Sequence, residues 1–197
     1  MCLIPLSPFR FIKYVVLGAS CFCLAATSCF AQASFLTVAS TPYDRQMTPV
    51  SRVLNSSTGA KAGRTSLATL NQWLTSLRAI PYRYSHQWKT PAQVDAEPVA
   101  DCKGKAILLY AKMRAQGATH VRFVIGKRHL ADQRTHAWLE WDTTRGTYLL
   151  DPTFKRAVER VSDSPPAMYV PHYAYTGTSK YRATEYRPAS ASVVASN

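Results

Sequence analysis

An α+β fold is predicted, in which an N-terminal helix and a cysteine-bearing helix pack on a small antiparallel sheet. Three observations carry this expectation. Apolar residues recur at helical spacing from Leu67 to Leu77, and a second helical stretch begins at Asp101-Cys102. Beyond it, three short segments alternate as strands do and are separated by turn-forming residues.

The chain opens on a segment with the marks of an export signal. Arg10 and Lys13 precede an uncharged apolar run from Tyr14 to Phe30, and Ala31-Gln32-Ala33 supplies small residues around a cleavage point. Residues 1–33 are therefore read as a signal peptide cleaved after Ala33, which directs the protein to the periplasm or the exterior. Two readings compete. The run is only about seventeen residues long against the roughly twenty a membrane span needs, so an uncleaved anchor is the first. Lipidation at Cys29 is the second: Ala26-Thr27-Ser28 precede it, but the large aliphatic residue such a site begins with is missing. After cleavage no stable membrane span is expected.

Cysteine usage follows from that processing. Cys2, Cys21, Cys23 and Cys29 all fall in the leader, so the mature chain keeps Cys102 alone. Exported proteins meet an oxidising compartment in which cysteines normally pair, and a single thiol there is more easily explained by use than by packing. The chain after Ala33 is long enough for one domain with a sizeable core. The full sequence has a formal charge of +13, strongly basic even after Arg10 and Lys13 leave with the leader, but Lys61, Arg64, Arg114, Arg122, Lys127, Arg128 and Arg156 are scattered, with no arginine-rich arm and no nucleic-acid module. Nucleic acid is therefore not an expected partner. Anionic envelope polymers or acidic proteins are, although a merely solvated basic surface is the simpler reading.

Residues 34–63 are polar, aperiodic and rich in Ser, Thr and Gly, and are expected to form an extended or loosely packed lead-in. The folded domain is assigned to 64–187 and a disordered tail to 188–197. Thr65-Ser66 opens a helix whose stripe is Leu67, Leu70, Trp73, Leu74 and Leu77, ended by Pro81. Tyr82 to Pro91 is an aromatic loop, in which Trp88 is placed to cover the cysteine or to anchor the loop, and Gln87 to donate to an oxyanion. In the next helix Asp101 is a good N-cap, Ala106, Ile107, Tyr110 and Met113 form the apolar face, and Gly117 is the stop. Cys102 then sits at the positive end of the helix, where unpaired N–H groups and the macrodipole favour the thiolate.

His120 to Gly126, Thr135 to Trp141 and Thr147 to Asp151 read as strands, the last two joined by a turn over Asp142 to Gly146. If that turn holds an even number of residues centred near Thr144 and Arg145, Asp151 falls opposite Trp138, and His136 and Asp151 share one face of the sheet. An odd loop would separate them. The Tyr-rich run from Tyr169 to Tyr186 reads as loops with one or two short strands.

Cys102, His136 and Asp151 together contain the parts of a cysteine-nucleophile triad: a thiol, an imidazole to take and return its proton, and a carboxylate to orient that imidazole. The segments DCKGKAILLYAKMRAQG, VRFVIG, THAWLEW and YLLDPTF resemble the core of the transglutaminase-like superfamily, and LNQW and WKTP resemble its bacterial cysteine peptidases. The resemblance runs from about Leu67 to Phe154. It implies a papain-like, transglutaminase-like core, a thioester at Cys102 and an exported hydrolase acting on an envelope or surface protein. Acyl transfer to an amine, amidase action on peptidoglycan stem peptides, and a non-catalytic envelope-binding module on the same fold are the alternatives. One departure stands out. The family's cysteine is typically flanked as GDCED, with acidic residues that help hold calcium in some members, whereas Lys103 and Lys105 follow it here. No cofactor is therefore expected, and no metal site from the five histidines, none of which pair at helical spacing.

Overall fold

The structure, a computed structural model, describes residues 33–58 and 65–184. The leader up to Gln32, its four cysteines and the assigned tail lie outside the described residues. Within them the strands form one antiparallel sheet, ordered β1 (Phe35–Thr37), β7 (Ser179–Ala183), β6 (Met168–Thr176), β2 (Val121–His129), β3 (His136–Thr143), β4 (Gly146–Leu150) and β5 (Glu159–Arg160). The helices are α1 (Asp44–Met47), α2 (Ser51–Leu54), α3 (Leu67–Ala79), α4 (Pro91–Ala96) and α5 (Cys102–Ala115). No described helix is long and apolar enough to cross a membrane.

Helix α5 is the hub. Ala106, Ile107, Leu109, Tyr110 and Met113 are fully buried in one core with Leu70, Leu74 and Leu77 of α3 and with Phe123 and Leu139 from the sheet. The Tyr110 hydroxyl keeps its hydrogen bond by donating to the Leu54 carbonyl at 3.1 Å. Alternation then divides the sheet residues between two faces. Phe123, Ile125, Ala137 and Leu139 meet α5, whereas Val124, Trp138, Leu149 and Ala174 form a smaller cluster on the opposite face with Tyr169.

The helix ends match the chemistry of their residues. The Ser66 hydroxyl accepts from Thr69 N at 3.0 Å at the start of α3, a bond worth about 1 kcal/mol in such caps. At the end of α5, Gly117 takes φ +83 while Ala118 N reaches back to the Met113 carbonyl. Leu67 of the predicted stripe is exposed, so α3 buries a narrower face than its pattern suggests.

Three segments depart from the sequence reading. The stretch 34–63 is not merely a loose lead-in: Phe35–Thr37 pairs with β7, and Met47, Val50 and Leu54 are buried against α5. Their apolar residues are too few and too widely mixed with Ser and Thr to show a period, yet the core gathers them. Helix α4 lies in what reads as loop. Its signal is local, a Thr90/Gln93 capping box with Pro91 at the first turn.

The Tyr-rich run is the third departure. It supplies a nine-residue strand, β6, at the centre of the sheet between β7 and β2. Pro171 disguises it. The proline sits where the β2–β6 register shifts at Ile125/Gly126, a bulge that needs no donor from it. Gly126 makes that crossing possible, because a Cβ there would stand 2.1 Å from the Val170 carbonyl oxygen.

Candidate active site

The β3–β4 hairpin carries the site. Its register pairs Thr143 with Gly146 and Leu139 with Leu150, leaving a two-residue turn at Thr144-Arg145. This is the even loop, so continuation of the register sets Asp151 opposite Trp138. His136 Nε2 and Asp151 Oδ2 are 2.8 Å apart, both buried. Nδ1 is then the ring nitrogen left for the sulfur. Cys102, at the first turn of α5, lines the same cleft as His136 and interacts with it.

Asp151 is fully buried and heavily donated to. Besides the imidazole, Oδ1 accepts from Thr153 N at 2.8 Å and from Phe154 N at 3.3 Å, and Oδ2 accepts from the Tyr169 hydroxyl at 2.9 Å. Burial by itself would raise this carboxyl, but the His136 and Thr153 donors outweigh it and hold it below the usual range. Burial likewise disfavours a charged His136. The hydrogen bond to Asp151 and the interaction with Cys102 reverse that, and the imidazole is pushed up to about 9. The raised value favours the protonated ring at neutral pH.

The cysteine wall is set from α5 and the preceding loop. Asp101 caps the helix by accepting from Gly104 N at 3.1 Å, and it also accepts from Ser85 N. Lys103 closes the loop onto the helix: its ammonium pairs with Asp101 and donates to the Ser85 carbonyl at 2.8 Å. Lys105, 2% exposed, donates to the Ile80 carbonyl at 2.6 Å and to the Arg78 carbonyl at 3.3 Å. A cation at the C-terminal end of α3 is favourably placed against its dipole. Among the described residues there is no cluster of three or more His, Cys, Asp or Glu side chains suited to a metal.

No protein-family model matches the chain, and no curated protein does. Solved structures do. Legionella pneumophila LapG in its EGTA-treated form aligns with a TM-score of 0.54 at 17% identity, over 73% of this chain and 79% of that one. The calcium-bound form of the same protein aligns with a TM-score of 0.54 over 76% of this chain and 84% of that one, again at 17% identity. The fold is transglutaminase-like.

Within this transglutaminase-like fold, the sequence-predicted residues separate. Cys102, His136 and Asp151 are brought together. Trp88 is 4% exposed, packed 5.7 Å from the Phe123 ring, and also lines the cleft, so it is both loop anchor and wall. Gln87 is not in the cleft. It is exposed and lies in a smaller depression with Arg83, Lys89 and Glu97, because its peptide N–H turns back onto Ser85 Oγ at 3.0 Å. The oxyanion role foreseen for it has no support there.

Tyr82 stands nearer the chemistry. A bridge between Tyr82 and Ala100, with Arg83 N donating to the Ala100 carbonyl, aligns it beside the helix start. Partial burial, then negative charge at Cys102 and Asp101, push its phenol up to about 12, so it remains a donor. Tyr169 was equally hidden in the sequence. It takes a left-handed φ of +51, unusual for a bulky side chain, and from there its hydroxyl reaches Asp151. Neither lies in a motif, and only a pairing map brings them to the site.

Proposed function

We propose that this protein is an exported cysteine-nucleophile hydrolase that cleaves peptide bonds through a thioester at Cys102. The observation that carries the reading is the buried His136–Asp151 pair at 2.8 Å beside a thiol on the first turn of α5. The sulfur attacks the amide carbonyl, and negative charge collects on its oxygen. The Cys102 and Lys103 peptide N–H groups at the start of α5, which have no intrahelical acceptor, and the Tyr82 hydroxyl are the donors available to it. His136 passes a proton to the leaving nitrogen as the tetrahedral intermediate collapses to the thioester. Water then attacks as His136 takes its proton, the C–S bond breaks, and the acid product leaves with the thiolate and the imidazolium restored. Asp151 keeps Nε2 as the donor throughout and stabilises the imidazolium.

The exported location rests on the leader 1–33, and the substrate class on the same footing is an envelope or surface polypeptide. Calcium does not fit the cysteine turn formed by the described residues. LapG has been described in a calcium-bound form, but here the two lysines that follow Cys102 already hold nearby oxygens with their ammonium groups. Lys103 occupies the Asp101 carboxylate and Ser85 carbonyl, and Lys105 the Arg78 and Ile80 carbonyls. Replacing hard oxygen donors by built-in cations removes the ligands and adds repulsion.

The test is a peptide library incubated with the mature protein and read by mass spectrometry, beside the Cys102→Ala variant. Cleavage that the variant lacks, with hydroxylamine capturing an acyl group from the wild type, is the expected result. If added amines are incorporated in preference to water, the chemistry is acyl transfer. An absence of any Cys102-dependent product from the library rejects both.

A further inference from the structure

We infer that the cleft recognises an acidic polypeptide, with Arg134 and Arg128 binding substrate carboxylates on either side of the reacting amide. This rests on the peptidase reading and names its substrate class. The two guanidiniums line the cleft that holds Cys102 and His136. Arg134 lies over the Tyr84 ring at 5.8 Å, on the cysteine side, where its charge also acts on Tyr82. Arg128 lies over the Phe154 ring at 4.6 Å, on the histidine side, since Phe154 is 5.2 Å from the His136 ring. Each guanidinium thus lies over a different aromatic wall of the cleft, Arg134 by Tyr84 and Arg128 by Phe154.

Their lack of partners gives the inference its force. Arg83, Arg122, Lys89, Lys155 and Lys180 all pair with carboxylates. Among the described residues, no ion pair involves Arg128 or Arg134. The nearby carboxylates are committed elsewhere: Asp101 to Lys103, Asp151 to His136 and Tyr169, and Asp132 to the His129 peptide N–H at 3.0 Å. A cation–π contact restrains a guanidinium without using its N–H donors, which stay available to grip a carboxylate in the fork geometry. Tyr82, Tyr84 and Phe154 are 53%, 53% and 49% exposed, an aromatic lining that an extended chain would cover. A cleft with aromatic walls, two guanidiniums outside any ion pair and one acid, Asp132, turned onto the His129 peptide N–H complements a peptide with acidic side chains near the cleaved bond.

The experiment uses Cys102→Ala protein and fluorescent peptides that differ only in Glu against Gln near the centre. Binding is followed by anisotropy at several salt concentrations, and the wild type is assayed for cleavage of the same peptides. The Glu peptides are expected to bind more tightly, with an advantage that shrinks as salt rises. R128Q and R134Q should each lower the Glu-to-Gln preference about three- to tenfold. R134E should move the preference toward a Lys-containing peptide, a gain of binding that misfolding cannot imitate. Equal binding of Glu and Gln peptides, or a preference that all three substitutions leave untouched, overturns the inference while leaving the hydrolase reading intact. Competition by dextran sulfate at matched charge, as strong as that by the Glu peptide, overturns it in favour of a polymer site. Salt- and arginine-dependent binding of Glu peptides without any cleavage upholds it and removes the hydrolase reading instead.

Discussion

Replacing Asp151 by Asn tests the proton arrangement of the site most directly. The substitution keeps the shape and one carbonyl-type acceptor, which can still serve Thr153 N and Phe154 N. The group facing His136 Nε2 and the Tyr169 hydroxyl becomes an amide donor against two donors. The imidazole must then drop its Nε2 proton or lose the contact. In the native protein its affinity for a proton stands near 9 against an ordinary 6.5, with Asp151 ahead of Cys102 among the groups that raise it. Loss of that carboxylate removes the foremost of the groups that raise it, an effect bounded by the whole rise of ~3 kcal/mol, so the share of the thiolate–imidazolium pair should fall by up to about a hundredfold. Iodoacetamide alkylation of Cys102 as a function of pH is the assay, with near-UV circular dichroism to confirm folding. The expected result is a loss of reactivity below pH 7 that returns only in alkaline solution. A folded D151N variant whose alkylation profile overlays the wild type would refute the reasoning, because Asp151 would then not govern the state of His136.

The same groups set a pH dependence of stability. His136 is raised from 6.5 to about 9, so its contribution, at most ~3 kcal/mol, is complete below its unfolded value and is lost as pH rises through 9. Asp151 is lowered, so its contribution is present above its unfolded value and lost as the solution becomes more acidic. Urea midpoints should therefore fall on both flanks, and a midpoint that climbs from pH 7 to 10 contradicts the assignment. Gly126→Ala should destabilise by more than ~3 kcal/mol or prevent folding, since its Cβ would overlap the Val170 oxygen and Pro171 Cα, both backbone, as well as the Trp138 ring; a variant with native Tm would mean the bulge can shift freely. EGTA should change neither Tm nor the alkylation rate, because Lys103 and Lys105 hold the oxygens near the helix start. A drop in either on chelation, restored by calcium, argues for a metal outside those positions.

Local chemistry was legible in the chain wherever it is written in consecutive residues. Ser66 and Asp101 announce helix starts, Leu70, Leu74 and Leu77 a buried stripe, and Gly117 a stop. The β3–β4 hairpin could even be reduced to one question, the parity of its turn, because side chains alternate with period two and one residue of slip reverses every face. What the sequence leaves out is anything that depends on which distant segments meet. Met47, Val50 and Leu54 look like stray apolar residues in a polar stretch until α5 covers them, and Pro171 argues against a central strand until the bulge at Gly126 accommodates it. Tyr82 reaches the cysteine wall through a bridge to Ala100, Tyr169 reaches Asp151 from a strained backbone, and Gln87 is turned out of the cleft by a bond to Ser85. The chain by itself singled out Cys102, His136 and Asp151 as candidates for a nucleophile, a base and an orienting acid, through a helix start and a hairpin that consecutive residues spell out. Only the tertiary structure decided what surrounds them, because the burial and hydrogen bonds that set their charge come from residues far away in sequence.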